Sequence, residues 1–171
     1  PLDVNLASVF AIQLLLADLS AEIPRTASTA SLPVDYSQEE WHTCPLPQVR
    51  SVNREECEGV IEPLVGILCA TEIERQAVLR MMRPPKNKRA VFQVYVGKNS
   101  CFVGRLGLTD IVLCMTAMGS SGRDASTVVT GEMIQSWNLQ AVIMVGIAFC
   151  RDSGKQEIGT VLVSERIAPY E

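Results

Sequence analysis

Leu64-Val65-Gly66-Ile67-Leu68-Cys69-Ala70-Thr71-Glu72-Ile73-Glu74 is an apolar run that stops at small residues and meets two carboxylates at once. The pattern predicts a buried β-strand, a tight turn, and a helix that opens with acidic groups. In open α/β sheets, ligands gather at the carboxyl ends of strands. The turn at Ala70 and Thr71 is therefore the first place to look for a site. Residues downstream read as a pocket built around it, and residues upstream as a separate attachment.

Working outward, Leu64–Cys69 is the first strand and residues 72–83 the first helix, with Ile73, Ala77, Val78 and Met81 as its inner stripe. Pro84-Pro85 ends that helix. The cluster Arg80, Arg83, Lys86, Lys88 and Arg89 suits the negative end of its dipole. Val91–Val96 alternates like a strand, Gly97-Lys98-Asn99-Ser100 is a turn, and Cys101–Val103 returns as its partner. Gly104-Arg105-Leu106-Gly107 reads as another turn. Thr109–Ala117 is a long apolar strand. Met118 to Asp124 leads into a helix ending near Trp137, with Ala125, Val128, Val129 and Met133 facing inward. Ala141–Val145 is a further strand. Asp152-Ser153-Gly154 turns the chain, and Ile158–Ser164 is the last strand.

Strands joined by helices predict a three-layer αβα domain over residues 64–171, with a mixed, mostly parallel central sheet. Residues 1–63 read as an N-terminal extension. Its first 20 residues form a helix with Phe10, Leu14 and Ala17 on one stripe, widened by Ile12, Leu15, Leu16 and Leu19. A Ser/Pro-rich linker follows from Ser20 to Glu62, with Trp41 and His42 as a local anchor and a short helix around Asn53–Gly59.

The 171 residues are 47% hydrophobic and 20% charged, an ordinary globular balance. Net charge is −4 and no basic block argues for nucleic acid or an anionic membrane as a partner. The apolar stretch Leu6–Leu19 is shorter than the roughly 20 residues that cross a bilayer, and only Asp3 among charged residues precedes it. The six cysteines stand at 44, 57, 69, 101, 114 and 150, with no C-x-x-C pair and His42 as the sole histidine. That spacing predicts no zinc site. Cys69 and Cys114 fall inside apolar runs and read as small hydrophobes. The cysteines are expected to be reduced, in a cytoplasmic protein that needs no cofactor.

Three constellations carry chemistry. In Thr71-Glu72-Ile73-Glu74 the threonine and the glutamate three residues on form a capping box. The same glutamate, at a strand's carboxyl end, can orient and deprotonate a water. Gly119-Ser120-Ser121-Gly122 lies between a strand and a helix, where glycines allow close approach and a helix N-terminus offers N–H groups. It lacks the G-K-[ST] of a P-loop. Gly146-Ile147-Ala148-Phe149 follows the next buried strand, where small residues leave room for a flat ligand or pack tightly at a sheet edge.

The order of these segments resembles the nucleoside phosphorylase superfamily, and most closely its methylthioadenosine/S-adenosylhomocysteine nucleosidase branch. Ile67 to Glu74 is similar to that branch's first strand and A-M-x-x-E turn. Met118-Gly119-Ser120-Ser121-Gly122-Arg123 is similar to its S-G-I-G-K segment. Val145-Gly146-Ile147-Ala148-Phe149 is similar to T-G-x-A-G, and Ile158–Ser164 to V-G-D-V-V-V-S. The likeness covers Val65–Glu171, roughly the first half of a family domain, and leaves residues 1–63 outside.

The resemblance implies hydrolysis of the N-glycosidic bond of a purine nucleoside or nucleotide. Glu74 takes the place of the carboxylate that positions the attacking water. Gly119, Ser120, Ser121, Gly122 and Arg123 would lie on the ribose and nucleophile side. Ala70, Thr71, Ala148 and Phe149 would shape the pocket. A phosphate nucleophile beside Glu72 and Glu74 would be repelled, which favours hydrolysis over phosphorolysis. Arg123 could offset that repulsion. Thr160, Phe149 and Cys150 depart from the family pattern. The family's ribose-binding glutamate and purine-protonating aspartate belong to a later segment, so the chain alone is expected to lack part of the active site. The alternative is a non-catalytic sensing or interaction module, because family domains also occur fused in multidomain signalling and defence proteins. A homodimer or such a fusion is the expected assembly.

Overall fold

The computed structural model describes residues 45–118 and 125–147. The helix expected over residues 1–20, the linker up to residue 44 with Trp41 and His42, the turn at Asp152-Ser153-Gly154 and the strand Ile158–Ser164 lie outside the described residues. The elements are β1 (Val49–Ser51), α1 (Arg54–Glu58), β2 (Val65–Cys69), α2 (Glu72–Met81), β3 (Val91–Val96), β4 (Asn99–Leu106), β5 (Thr109–Met115), α3 (Ser126–Trp137) and β6 (Ala141–Met144).

The six strands make one sheet in the order β1-β3-β4-β5-β2-β6. The pairs β1–β3, β2–β5 and β2–β6 are parallel, and β3–β4 and β4–β5 are antiparallel. The sheet is thus mixed and mostly parallel, as the sequence led us to expect. Its two faces bury different helices. On one face Val65, Ile67, Ile111 and Leu113 pack with Val78, Leu79 and Met81 of α2. On the other, Leu68, Val112, Phe92 and Val94 pack with Cys57 of α1 and with Val129, Met133 and Trp137 of α3. Covering both faces explains why β2 is apolar without alternation and buried at every position.

The sheet reaches back beyond Leu64. β1 pairs with β3 from Val49↔Val91 to Ser51↔Gln93. The expected short helix is α1, capped by Asn53, whose side chain accepts from the Glu56 N–H at 2.8 Å. Arg54 stacks on the Trp137 ring, 4.8 Å from its centroid, and donates to the Ser136 carbonyl. Those contacts tie α1 to α3, so the last part of the stretch read as linker belongs to the α/β layers.

Several local readings are corrected. Ile73 is 58% exposed and Val128 is 42% exposed, so neither faces inward. The buried line on α2 is Glu74, Val78 and Met81, at helical spacing. A carboxylate holds its first position, and hydrophobic periodicity cannot register a carboxylate. On α3 the line is Val129, Met133 and Trp137, continuing from the buried Ala125. β4 runs on to Leu106, so Gly104 lies in a strand; the turn is made further on, at Gly107, whose φ is +61°. Arg83 bridges to Arg105, each N–H donating to the other's carbonyl at 2.8 Å. A Cβ on Gly104 would stand 2.6 Å from the Arg83 oxygen, which is why glycine occurs there.

The expectation that all the cysteines are reduced is also corrected. Cys101 and Cys114 are directly opposed across β4 and β5, with Cα atoms 4.6 Å apart, and form a disulfide. The close spacing of a non-hydrogen-bonded antiparallel pair brings both sulfurs to one face. Thirteen residues of sequence separate the two, so the pairing is invisible until the hairpin register is known. Cys57 and Cys69 are free thiols, buried as small hydrophobes. No helix among the described residues is long and apolar enough to cross a membrane.

Candidate active site

Three parallel strands end together. Cys69 at the end of β2 is opposite Met115 of β5, and Leu68 is opposite Met144 of β6. The ladder continues one step past both neighbours: the Thr116 N–H donates to the Cys69 carbonyl and the Val145 N–H to the Leu68 carbonyl, each at 2.8 Å. The turns after β2, β5 and β6 therefore leave from one edge of the sheet. That edge holds the first constellation of the sequence, Ala70 to Glu74, and the start of the third, Gly146 and Ile147.

At its centre is Glu74, 7% exposed. Thr71 caps α2, its hydroxyl accepting the Glu74 N–H at 3.3 Å. Oε2 of Glu74 returns to accept the Thr71 N–H at 2.8 Å and the Ala70 N–H at 3.0 Å. The capping box read from sequence is complete. A third donor goes beyond it. The N–H of Ile147, after β6, donates to Oε1 at 2.8 Å. Burial raises the proton affinity of Glu74, but the N–H groups of Ile147, Thr71 and Ala70 and the Thr71 hydroxyl together outweigh it, and its pKa is lowered. The carboxylate is anionic at neutral pH.

An ionised carboxylate has about four lone-pair sites. Three are taken by N–H groups, and the fourth is on Oε1. A water molecule bonded there would be oriented by a fixed negative charge. Glu72 takes no part in this. Its side chain points away and accepts from Arg75 at 2.5 Å and from Gln76 at 2.8 Å, which lowers its pKa, the Gln76 bond contributing most. Arg75 also lies over the Phe102 ring, 5.2 Å from the centroid.

Of the residues singled out in the sequence, Ala70, Thr71 and Glu74 come together here, with Ala70 and Thr71 half-buried. Gly119, Ser120, Ser121, Gly122, Arg123, Ala148 and Phe149 lie outside the described residues. Their flanks are placed. Ala117 bridges in parallel to Ala125, which precedes α3 without giving it a side-chain cap. Gly146 and Ile147 approach Glu74. The small residue at 146 makes room for the Glu74 carboxylate: a Cβ there would meet Oε1 at 3.3 Å.

Two groups at this edge escaped the sequence reading. The Ile147 N–H is a backbone group, which no residue type announces. Thr116 is 4% exposed, and its hydroxyl has no hydrogen-bond partner among the described residues. It stands one residue past β5, against the strand that leads to Ala70. A buried unpaired hydroxyl is uncommon and asks for a partner. The only sequence signal was a polar residue closing an apolar run.

No protein-family model matches the chain, and no solved structure matches it. It is 25% identical over 104 residues to a protein of Amphimedon queenslandica named death domain-containing ATP nucleosidase. That likeness covers 60% of this chain and 20% of that protein, so the chain matches about a fifth of its relative's length. The similarity supports a nucleosidase-like relationship.

Proposed function

We propose that this chain carries the water-positioning half of a nucleosidase site, which hydrolyses the N-glycosidic bond of a purine nucleoside or nucleotide. The observation that carries the reading is the geometry of Glu74: a buried, ionised carboxylate at the joint carboxyl ends of three parallel strands, with one acceptor site that no described residue fills. The likeness to a protein named as an ATP nucleosidase supports it, and brings nucleotides as well as nucleosides into the substrate class.

The chemistry suits such a group. As the bond between the sugar C1′ and the base nitrogen breaks, the sugar takes on oxocarbenium character, and a fixed anion stabilises it. The lowered proton affinity of Glu74 makes it a weak base. Its role is then to orient the water and hold negative charge near C1′, with proton removal following attack. Arg75 is engaged by Glu72 and the Phe102 ring, so the described edge offers an anion and no free guanidinium. Water is a better nucleophile for it than phosphate.

A second reading has its own support. Three backbone N–H groups on one carboxylate would also make Glu74 a purely structural clasp, in a sensing or interaction module that catalyses nothing. One experiment separates the two. The full protein is incubated with methylthioadenosine, S-adenosylhomocysteine, adenosine, inosine and ATP, with and without phosphate, and free base is followed by chromatography. Glu74→Gln runs beside it with a thermal melt. Free base from the parent and none from the folded variant is the expected result. No base from any substrate with a folded parent protein overturns it, and a phosphate requirement moves the activity to phosphorolysis.

A further inference from the structure

We propose that the Gly146–Ile147 peptide is the positioning element of this site: its N–H fixes the Oε1 edge of Glu74 and leaves that oxygen one direction for the nucleophile. The inference rests on the glycosidase reading and deepens it. A capping box needs only local donors, and Ala70 and Thr71 supply them to Oε2. Held at that oxygen alone, the carboxylate could still swing its other edge. The Ile147 N–H, which comes from a different strand, removes that freedom at 2.8 Å.

Gly146 is the residue that permits this approach. A Cβ there would stand 3.3 Å from Oε1 and 3.9 Å from the carboxyl carbon. The carboxylate has no room to retreat, because Oε2 is already held at 2.8 and 3.0 Å. A methyl group at 146 must therefore shift the carboxylate by a few tenths of an ångström, or lift the Ile147 N–H away from it. Among the described residues no side-chain charge competes for the role. On its own helix Glu72 and Arg75 pair with each other. On β2, Cys69 has its thiol pushed up to about 12 by burial and then by Glu74 itself. The described ends of β5 and β6, Met115–Met118 and Met144–Ile147, bring no ionisable side chain.

The test is Gly146→Ala in the full protein, read three ways. With the substrate that the parent cleaves, kcat falls about tenfold while KM stays within about twofold, because a displacement well under an ångström misaligns the water and leaves binding intact. In a carbon-13 titration of the Glu74 carboxyl, the midpoint moves up toward the ordinary glutamate range. The Ile147 amide is protected from hydrogen exchange in the parent and loses protection in Gly146→Ala and in Glu74→Gln, while Ile143 keeps it. An unmoved titration midpoint in a folded Gly146→Ala, or an Ile147 amide that exchanges freely in the parent, overturns the proposal. If Gly146→Ala does not fold, exchange in the parent and in Glu74→Gln decides. Full activity in Glu74→Gln would sink the glycosidase reading alone, since titration and exchange judge the positioning element without any substrate.

Discussion

Glu74 and Ile147 are 73 residues apart in sequence and joined by an N–H···O bond of 2.8 Å. The bond links the first turn of α2 to the chain leaving β6, so a helix cap serves also as a clasp across the edge of the sheet. Local and long-range order meet in one carboxylate.

That arrangement makes stability depend on pH with a definite sign. The folded-state pKa of Glu74 is lowered, so its ionised form stabilises the fold above the unfolded value of about 4.3, and the contribution is lost as pH falls through the folded value. Glu74→Ala removes a cap and leaves N–H groups of Ala70, Thr71 and Ile147 without their acceptor. It is expected to lose about 2–4 kcal/mol at pH 7. Urea unfolding at pH 7 and at pH 3 checks this, and the gap between parent and variant narrows at the lower pH. A gap that is constant with pH contradicts the clasp.

The disulfide is expected to show directly. Mass spectrometry of a non-reduced digest should find Cys101 linked to Cys114. Cys57 and Cys69 should resist alkylation in the folded protein, since burial pushes their thiols up to about 11 and about 12. Closing a loop of this size contributes about 2–3 kcal/mol in the chain-entropy treatment. Addition of a dithiol reductant should lower the melting temperature by several degrees. An unchanged melt after reduction, shown by mass, would remove the bond from the stability of the sheet.

The αβα layering and the mixed, mostly parallel sheet were legible because buried parallel strands write themselves as apolar runs, as in Leu64–Cys69 and Ala141–Val145. Thr71 and Glu74 were legible for a similar reason, since a capping box is a local pattern. What escaped depends on register or on the backbone. The partnership of Cys101 with Cys114 follows from the β4–β5 register, and the hold of Ile147 on Glu74 comes from a peptide N–H. Gly104 was read as a turn because glycine marks turns more often than strands that another backbone approaches. The inner face of α2 was offset toward Ile73 because its true first inward residue is a carboxylate.

Gly104 gives a sharp packing test. A Cβ would fall 2.6 Å from the Arg83 carbonyl oxygen and 3.2 Å from the Met82 methyl carbon. The methionine can move, but the carbonyl is fixed by the paired bonds between Arg83 and Arg105. Gly104→Ala is therefore expected to cost about 2–3 kcal/mol in urea unfolding. Gly107, with φ at +61° and nothing within 4 Å of a built Cβ, separates the two effects. Gly107→Ala should lose only about 1 kcal/mol, from the left-handed backbone. Equal losses at both positions would mean that the Arg83 approach is not a tight one.

Thr116 distinguishes a structural hydroxyl from one kept for a ligand. It is buried without a partner among the described residues, and such a group costs about 1–3 kcal/mol of desolvation. Replacing it by valine keeps the branched shape and removes the hydroxyl. Thr116→Val is thus expected to match or exceed the parent by about 1 kcal/mol in urea unfolding. A hydroxyl retained at that expense, beside the turn of Ala70 and Thr71, fits a hydrogen bond to the sugar or the nucleophile. In the free-base assay Thr116→Val should lose about tenfold or more in kcat/KM despite its stability. A variant that is both less stable and fully active would make Thr116 a structural residue, and would confine the described part of the site to Glu74 and its three N–H donors.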